Sequence, residues 1–279
     1  MTVRDILLQA NSHPQATPDW ALEQVAGLAA RLGATASLGV CQVTIPQVSS
    51  WLANKMLKAD SIIADENSRS AANGEALAAR FRSSVAADRR GDVFVVDCPG
   101  MVTHWQLAIH ARSYDLTIVP IYGHSEAISV AEGLVFESGR PVIVLPEPAA
   151  GADLALDRIT VAWDGSSVAA RALADAMPLL RQAKSVAIVQ ITGEKDLSKA
   201  APAADVLRNL ARHGIEAQAV EVELEDRDAA ATLQSWCLRE GVDLLVMGAF
   251  GHSRAREFVL GGVTRSILHG PQLPILLAH

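Results

Sequence analysis

Two successive halves of this chain repeat the same alternation of short apolar runs and helical segments, and this alternation constrains the fold more than any other feature. The order of elements in each half is βαβαβαβαβ. Apolar runs of strand length between helical segments indicate a parallel sheet with helices on both faces. The predicted strands are 5–10, 35–44, 92–97, 115–121 and 141–145 in the first half and 159–163, 186–191, 217–222, 243–247 and 274–277 in the second.

The repeat predicts two α/β domains, at residues 1–148 and 155–279, joined by the Pro- and Ala-rich linker 146–156. A repeat unit of about 140 residues indicates a duplicated domain and not a solenoid. Single positions can be matched between the halves, and Asp115 corresponds to Asp243 at the start of the fourth strand.

Local signals predict where the helices of the first half begin and end. Thr17 is predicted to cap the first helix, which ends at Gly33. Residues 45–68 contain Pro, Trp and Met and are predicted to be a helical insertion, followed by a separate helix at about 70–88.

Composition excludes several classes of function. The net charge of −7 argues against nucleic acid as a partner, because binding many phosphates requires a basic surface. No apolar run approaches the ~20 residues of a membrane helix, and the N-terminus lacks the features of a signal peptide. We therefore expect a cytoplasmic protein. The three cysteines, Cys41, Cys98 and Cys237, show no C-x-x-C spacing and are expected to be buried apolar residues.

A glycine-rich stretch near the C-terminus is the main candidate site. The predicted strand 243–247 leads into Gly248 and Gly251, and Gly261 and Gly262 precede a helical run. A strand, a glycine loop and a helix N-terminus in this order can hold a phosphate, because glycine lets the backbone approach and free N–H groups point at the anion. The alternative is a turn whose glycines only satisfy backbone geometry.

The two halves differ at this position and at the end of the first strand. Asp164-Gly165 in the second half corresponds to Asn11-Ser12 in the first, and Gly248 to Gly251 corresponds to Pro120 to Gly123. Since the first half builds this connection without the glycine pattern, turn geometry by itself does not predict those glycines. The carboxylate of Asp164 suits ribose hydroxyls, or it caps the turn that follows.

Neighbouring side chains offer further candidates, each with a plainer structural alternative. His252 and the arginines near the loop suit a phosphate, although loop arginines are usually solvated, and Trp163 suits either a base or the core. The acidic run 221–228 is expected to be a solvated edge. No nucleotide-loop, dinucleotide-turn, zinc or nucleophile-elbow motif occurs, so no catalytic residue is predicted. The arginines are Arg254, Arg256 and Arg265.

Together these residues resemble the universal stress protein family. The resemblance rests on the segment 161–166 and on Gly248, Gly251 and Gly261, which are separated by two and nine residues. It covers the second half in detail and the first half by element order, as in a tandem member. One departure is Gly262, which stands where the family has Ser or Thr, with Thr264 two residues further on.

The resemblance implies a flavodoxin-like, adenine nucleotide alpha-hydrolase-like fold with five parallel strands in each domain. It implies an ATP or AMP site in the second domain only, with Mg²⁺ present only when ATP is bound. The resemblance also implies that the last strands of the two halves, 142–145 and 275–277, pair within the chain. It leaves open whether two chains also form a homodimer. The implied nucleotide contacts are Asp164, Ile191, Gly248, Gly251, Gly261, Gly262, Val263 and Thr264.

Three functions follow from this reading. The first is a stress-response regulator that binds ATP or AMP without substantial turnover. The second is a weak ATPase, which needs a water-activating group beside the phosphates. The third is a nucleotide-free dimerisation scaffold, which is favoured if Gly262 abolishes binding.

Overall fold

A single ten-stranded sheet runs through both halves of the protein in a computed structural model. The structure describes residues 2–47, 59–123, 126–148, 153–193, 201–226, 228–249 and 262–279. The strand order is β3-β2-β1-β4-β5-β10-β9-β6-β7-β8. The strands are Asp5–Asn11, Thr35–Thr44, Arg90–Pro99, Leu116–Ile121 and Val142–Pro146 (β1–β5), then Arg158–Ala162, Ser185–Thr192, Ala217–Glu223, Leu244–Gly248 and Ile275–Ala278 (β6–β10).

Helices cover both faces of this sheet, as the hydrophobic alternation predicts. They are Asp19–Leu32 (α1), Ala59–Ser84 (α2), Trp105–Ala111 (α3), Glu126–Glu137 (α4), Ser167–Leu180 (α5), Ala203–Arg212 (α6), Ala229–Arg239 (α7) and Gly262–His269 (α8), with a 3₁₀ turn at Ala87–Arg89. Successive residues of β1 lie on opposite faces of the sheet. Ile6 and Leu8 pack with α1 and α2 on one face, and Leu7 packs with α3 and α4 on the other. Period-two apolar residues on both faces are what a doubly covered sheet requires.

All strand pairs within a half are parallel, and the two halves meet through an antiparallel pair. Ile275 lies opposite Val144 and Leu277 lies opposite Val142. The pairing of last strands within the chain, which the family resemblance implied, is therefore present. Each half alone would leave its last strand as a fully apolar edge, and the pairing removes both edges.

An aspartate directly before the fourth strand of each half accepts two backbone hydrogen bonds from the start of the first strand. Asp115 Oδ2 accepts hydrogen bonds from the backbone N–H of Arg4 at 2.8 Å and of Asp5 at 3.1 Å. Asp243 Oδ2 accepts from the backbone N–H groups of Asp157 and Arg158, both at 2.8 Å. The predicted correspondence of these two aspartates is confirmed, because both tie the start of the first strand to the start of the fourth.

Two predictions in the first half are wrong in detail. The predicted helix at about 70–88 begins at Ala59 and ends at Ser84, so it includes part of the predicted insertion, whose residues 48–58 lie outside the described part of the chain. Thr17 does not cap α1, because Pro18 occupies the N-cap position without a side-chain hydrogen bond. The Thr17 hydroxyl is engaged elsewhere, by the backbone N–H of Asn11 at 2.8 Å.

Candidate functional site

The carboxyl ends of β9, β6 and β7 lie side by side in the second half. β6 pairs with β9 on one side and with β7 on the other, so the strand order reverses at β6. In open parallel sheets, ligands bind in the crevice at such a reversal. Asp164 lies two residues after β6, Ile191 near the end of β7, and Gly248 at the end of β9. The structure thus brings together three predicted site residues that are up to 84 positions apart.

Asp164 is part of a turn that starts α5. Its Oδ1 accepts the backbone N–H of Ser166 at 3.0 Å, and Gly165 between them has a φ of 73°. The Ser166 hydroxyl in turn accepts the N–H of Ala169 at 3.2 Å, which caps the helix. Asp164 therefore caps the turn that follows it, which is one of the two roles that the sequence allowed. A variant that tests whether Asp164 also binds a ligand must keep this hydrogen bond.

Gly248 has a steric role in packing. A Cβ atom at this position would lie 2.5 Å from the carbonyl carbon of Val168 and 2.6 Å from the backbone nitrogen of Ala169. Both atoms belong to the first turn of α5, so the backbone of β9 packs directly on that helix. Glycine is required here in order to fit α5, whatever ligand the site holds.

The lengths of two connections explain why the first half does not need this glycine. The segment 163–166 joins β6 to α5, whereas the longer segment 12–18 joins β1 to α1. The short connection holds the start of α5 against the end of β9. Packing of β9 on α5, and not turn geometry, therefore accounts for Gly248, while Pro120 occupies the matching place in β4.

The start of α8 carries the other described site residues. Gly262 is exposed, and a Cβ there would meet no atom of the described residues within 4 Å. Val263 packs against the core, and Thr264 is buried with 4% of its surface exposed. Packing among the described residues gives no reason for glycine at 262, in contrast to Gly248.

Several predicted residues fall in the segment 250–261, which lies outside the described residues; they are Gly251, His252, Arg254, Arg256 and Gly261. Arg265 is exposed on α8, and Trp163 is buried in the core with its Nε1 donating to the carbonyl of Ala201 at 2.9 Å. In the acidic run, Asp228 caps α7 through the N–H groups of Ala230 and Ala231. No cluster of three metal-ligating side chains occurs in the described part of the chain.

The corresponding crevice in the first half is narrowed by its own side chains. The Tyr122 and Thr17 hydroxyls are 2.8 Å apart, and the Tyr122 hydroxyl donates to the carbonyl of Gln15 at 3.4 Å. Burial raises the pKa of Tyr122. A cavity of about 20 Å³ remains beside Tyr122, Asn11 and His13, which is room for one water molecule. Sequence reasoning missed this narrowing, although Tyr122 is one of only two tyrosines.

His279 connects the end of β9 to the first half of the protein. His279 Nδ1 lies 3.1 Å from the carbonyl oxygen of Ala249, which follows Gly248. The His279 ring packs edge-on against Phe136 of α4, with ring centroids 4.9 Å apart. No local pattern predicts this contact, because Phe136 and His279 meet only when β5 and β10 pair.

The fold defines an α/β protein built from two doubly wound halves joined edge to edge through β5 and β10. Residues 155–279, in the second half of the chain, match the sequence model of the universal stress protein family. Universal stress protein Slr1230 of Synechocystis is 39% identical over 57 residues, which are 20% of each chain. The matched segment thus spans about a fifth of that relative's length.

Solved structures share the fold over the whole chain. A universal stress protein from Archaeoglobus fulgidus aligns over 100% of this chain and 99% of its own, with a TM-score of 0.69 and 17% identity. A putative universal stress protein from Pseudomonas aeruginosa aligns over 99% and 93%, with a TM-score of 0.57 and 12% identity. The predicted resemblance to the universal stress protein family is confirmed over residues 155–279, and the predicted flavodoxin-like α/β fold is confirmed over the whole chain. No helix in the described ranges is both long and apolar enough to cross a membrane.

Proposed function

We propose that this chain is a stress-response regulator that binds an adenine nucleotide, ATP or AMP, within residues 155–279 without substantial turnover. The observation that carries the proposal is the difference between the two crevices. Asp164, Ile191 and Gly248 meet at the strand reversal of the second half. The matching place in the first half is narrowed by the hydrogen-bonded side chains of Tyr122 and Thr17. One nucleotide per chain is therefore expected.

Each residue has a distinct part in this proposal. The Asp164 carboxylate accepts hydrogen bonds from the adenosine, and the backbone around Ile191 flanks the base. The N-terminus of α8, at Gly262, Val263 and Thr264, faces the phosphates, because helix N–H groups favour an anion. No atom in the described part of the chain would contact a Cβ at Gly262, which is compatible with close approach of a ligand.

The glycines Gly248, Gly251 and Gly261 enter the proposal on different grounds. Gly251 and Gly261 enter on the family resemblance. Gly248 serves the site by letting β9 pack on α5, so its removal would disturb the crevice as a whole. Mg²⁺ accompanies the nucleotide only as the partner of ATP phosphates.

Binding is tested by isothermal titration calorimetry of the full chain with ATP and with AMP. The variant is Asp164→Asn, which keeps an oxygen for the turn to Ser166 and removes the charge. We expect it to weaken binding roughly ten- to a hundredfold, since a hydrogen bond to a charged group contributes about 1.5–3 kcal/mol. The matched control is Asp228→Asn, another carboxylate that caps a helix in the same half, and it should bind as the wild type does.

The other two functions are outcomes of the same experiment. Absence of heat with both nucleotides would favour the nucleotide-free scaffold. Phosphate release that co-purifies with the protein and disappears in Asp164→Asn would favour the weak ATPase. Two nucleotides bound per chain would contradict the narrowing of the first crevice by Tyr122.

We further propose that β5–β10 pairing makes the protein a pseudo-dimer within one chain in the cytoplasm, with no nucleic-acid or membrane partner. The antiparallel pair and the ion pair of Arg31 with Asp157 join the halves. Light scattering measures whether the particle has the mass of one 29.6 kDa chain or of a homodimer. Fractionation of cells tests the location.

A further inference from the structure

Two of the three cysteines lie together at the outer edge of the sheet. In the register of β2 and β3, Cys41 is opposite Val96 and Cys98 is opposite Val43. Both cysteines belong to the same core cluster, on the face covered by α3, and both are fully buried. They are free thiols on neighbouring strands, two residues apart in register.

Thr103 contacts both thiols. The Cys41 thiol donates to the carbonyl oxygen of Thr103 at 3.7 Å, and the Thr103 hydroxyl donates to the Cys98 sulfur at 4.0 Å. The two thiols also interact with each other, and the hydrogen bond from Cys41 lowers the pKa of Cys98 while that of Cys41 is raised. Cys98 is thus the more nucleophilic sulfur, because the thiolate is the reactive form.

Cys237 provides a contrast within the same chain. It lies on α7 in the second half, and burial raises its pKa to about 12. Cys98 is as fully buried as Cys237, but the hydrogen bond from Cys41 lowers its pKa, whereas at Cys237 the raised pKa is due to burial.

The position of β3 allows the sulfurs of the pair to approach. An offset of two residues, about 6.6 Å along the strand, combined with the spacing of about 4.8 Å between strands, places the Cα atoms roughly 8 Å apart, which is further than in an unstrained disulfide. A bond therefore requires a small shift of β3. β3 is an edge strand with a neighbour on one side only, and Cys98 is its second-to-last residue. A disulfide formed by such a shift is strained and easily reduced.

We propose that Cys41 and Cys98 form a reversible disulfide when the protein meets a hydroperoxide. The Cys98 thiolate attacks one peroxide oxygen, the O–O bond breaks, and the leaving oxygen takes a proton as water or an alcohol. Cys98 is then a sulfenic acid. The Cys41 sulfur attacks it, the S–O bond breaks, and the hydroxyl leaves as water with the proton of the Cys41 thiol. Two thiols are oxidised by one peroxide.

Thiol alkylation after hydrogen peroxide treatment tests this proposal. The folded full chain is exposed to peroxide, then unfolded, alkylated and weighed by mass spectrometry. We expect one alkyl group per chain, where the untreated protein carries three, and a linked peptide pair containing Cys41 and Cys98. Reduced glutathione should restore three alkylation sites, because a strained disulfide is readily reduced.

Variants separate the pair from other oxidation. Cys237→Ser is the matched control and should still lose both remaining thiols as one linked pair. Cys41→Ser should leave a sulfenic acid on Cys98 that dimedone traps. Three alkyl groups after peroxide, a link that involves Cys237, or oxidation of Cys98 to sulfinic acid without any Cys41 link in the wild type would each overturn the proposal.

Discussion

Replacing Gly248 by alanine tests the tightest contact between a strand and a helix at the candidate site. The added Cβ would lie 2.5 Å from the Val168 carbonyl carbon, 2.6 Å from the Ala169 nitrogen and 2.7 Å from the Val168 carbonyl oxygen. All three atoms are backbone atoms of the first turn of α5, so no side chain can rotate away. β9 or α5 must move by roughly 1 Å to restore ordinary van der Waals contact.

The cost of this movement sets the expected size of the effect. Overpacking a closely packed core costs about 1–3 kcal/mol, and a clash with backbone belongs at the upper end, about 2–3 kcal/mol. Each kcal/mol shifts the melting temperature of a protein near this size by about 2–4 °C. Gly248→Ala should therefore melt roughly 4–12 °C below the wild type.

The assay is thermal unfolding without nucleotide, followed by circular dichroism. Gly27→Ala is the control, because Gly27 lies inside α1 and its Cβ would meet no atom within 4 Å. That variant should gain about 0.5–1 kcal/mol, since alanine favours a helix over glycine. A Gly248→Ala protein that melts with the wild type would refute the close approach of β9 to α5.

Three further predictions concern stability. Phe81→Ala should cost about 3–5 kcal/mol in urea unfolding, because Phe81 is completely buried. His279→Ala should cost about 1–2 kcal/mol and speed amide hydrogen exchange at the end of β9, since it removes a hydrogen bond and a ring contact. Lys184 and Arg31 lower the pKa of Asp157 below 3.8, so their stabilising effect is present above that pH and is lost as pH falls through the lowered pKa. Urea midpoints measured down to about pH 2 should therefore fall less steeply for Asp157→Asn than for the wild type.

Local chemistry was enough to predict the order of elements. The predicted strand 35–44 coincides with β2, and Gly33 ends α1 in a left-handed conformation as the sequence indicates. The correspondence of Asp115 with Asp243 was also readable, because each stands at the same step of the repeat. These features depend on neighbours along the chain, so one sequence is sufficient to find them.

Contacts between distant residues were not predictable in the same way. Thr17 has the chemistry of a helix cap, but the fold brings Tyr122 and Asn11 to its hydroxyl, and these partners take precedence. Cys41 and Cys98 looked unrelated by spacing and became neighbours because β2 and β3 pair with a particular register. Strand order and register depend on the whole chain.

The sequence by itself determined the fold class, the duplication and the residues that match the universal stress protein family. Only the tertiary structure decided which of those residues have packing reasons to be there. Gly248 must be glycine because the short segment 163–166 holds α5 against β9, whereas a Cβ at Gly262 would touch none of the described residues. The physical reason is that steric demand depends on which backbone segments touch, and that is set by connection lengths and strand order across the entire sheet.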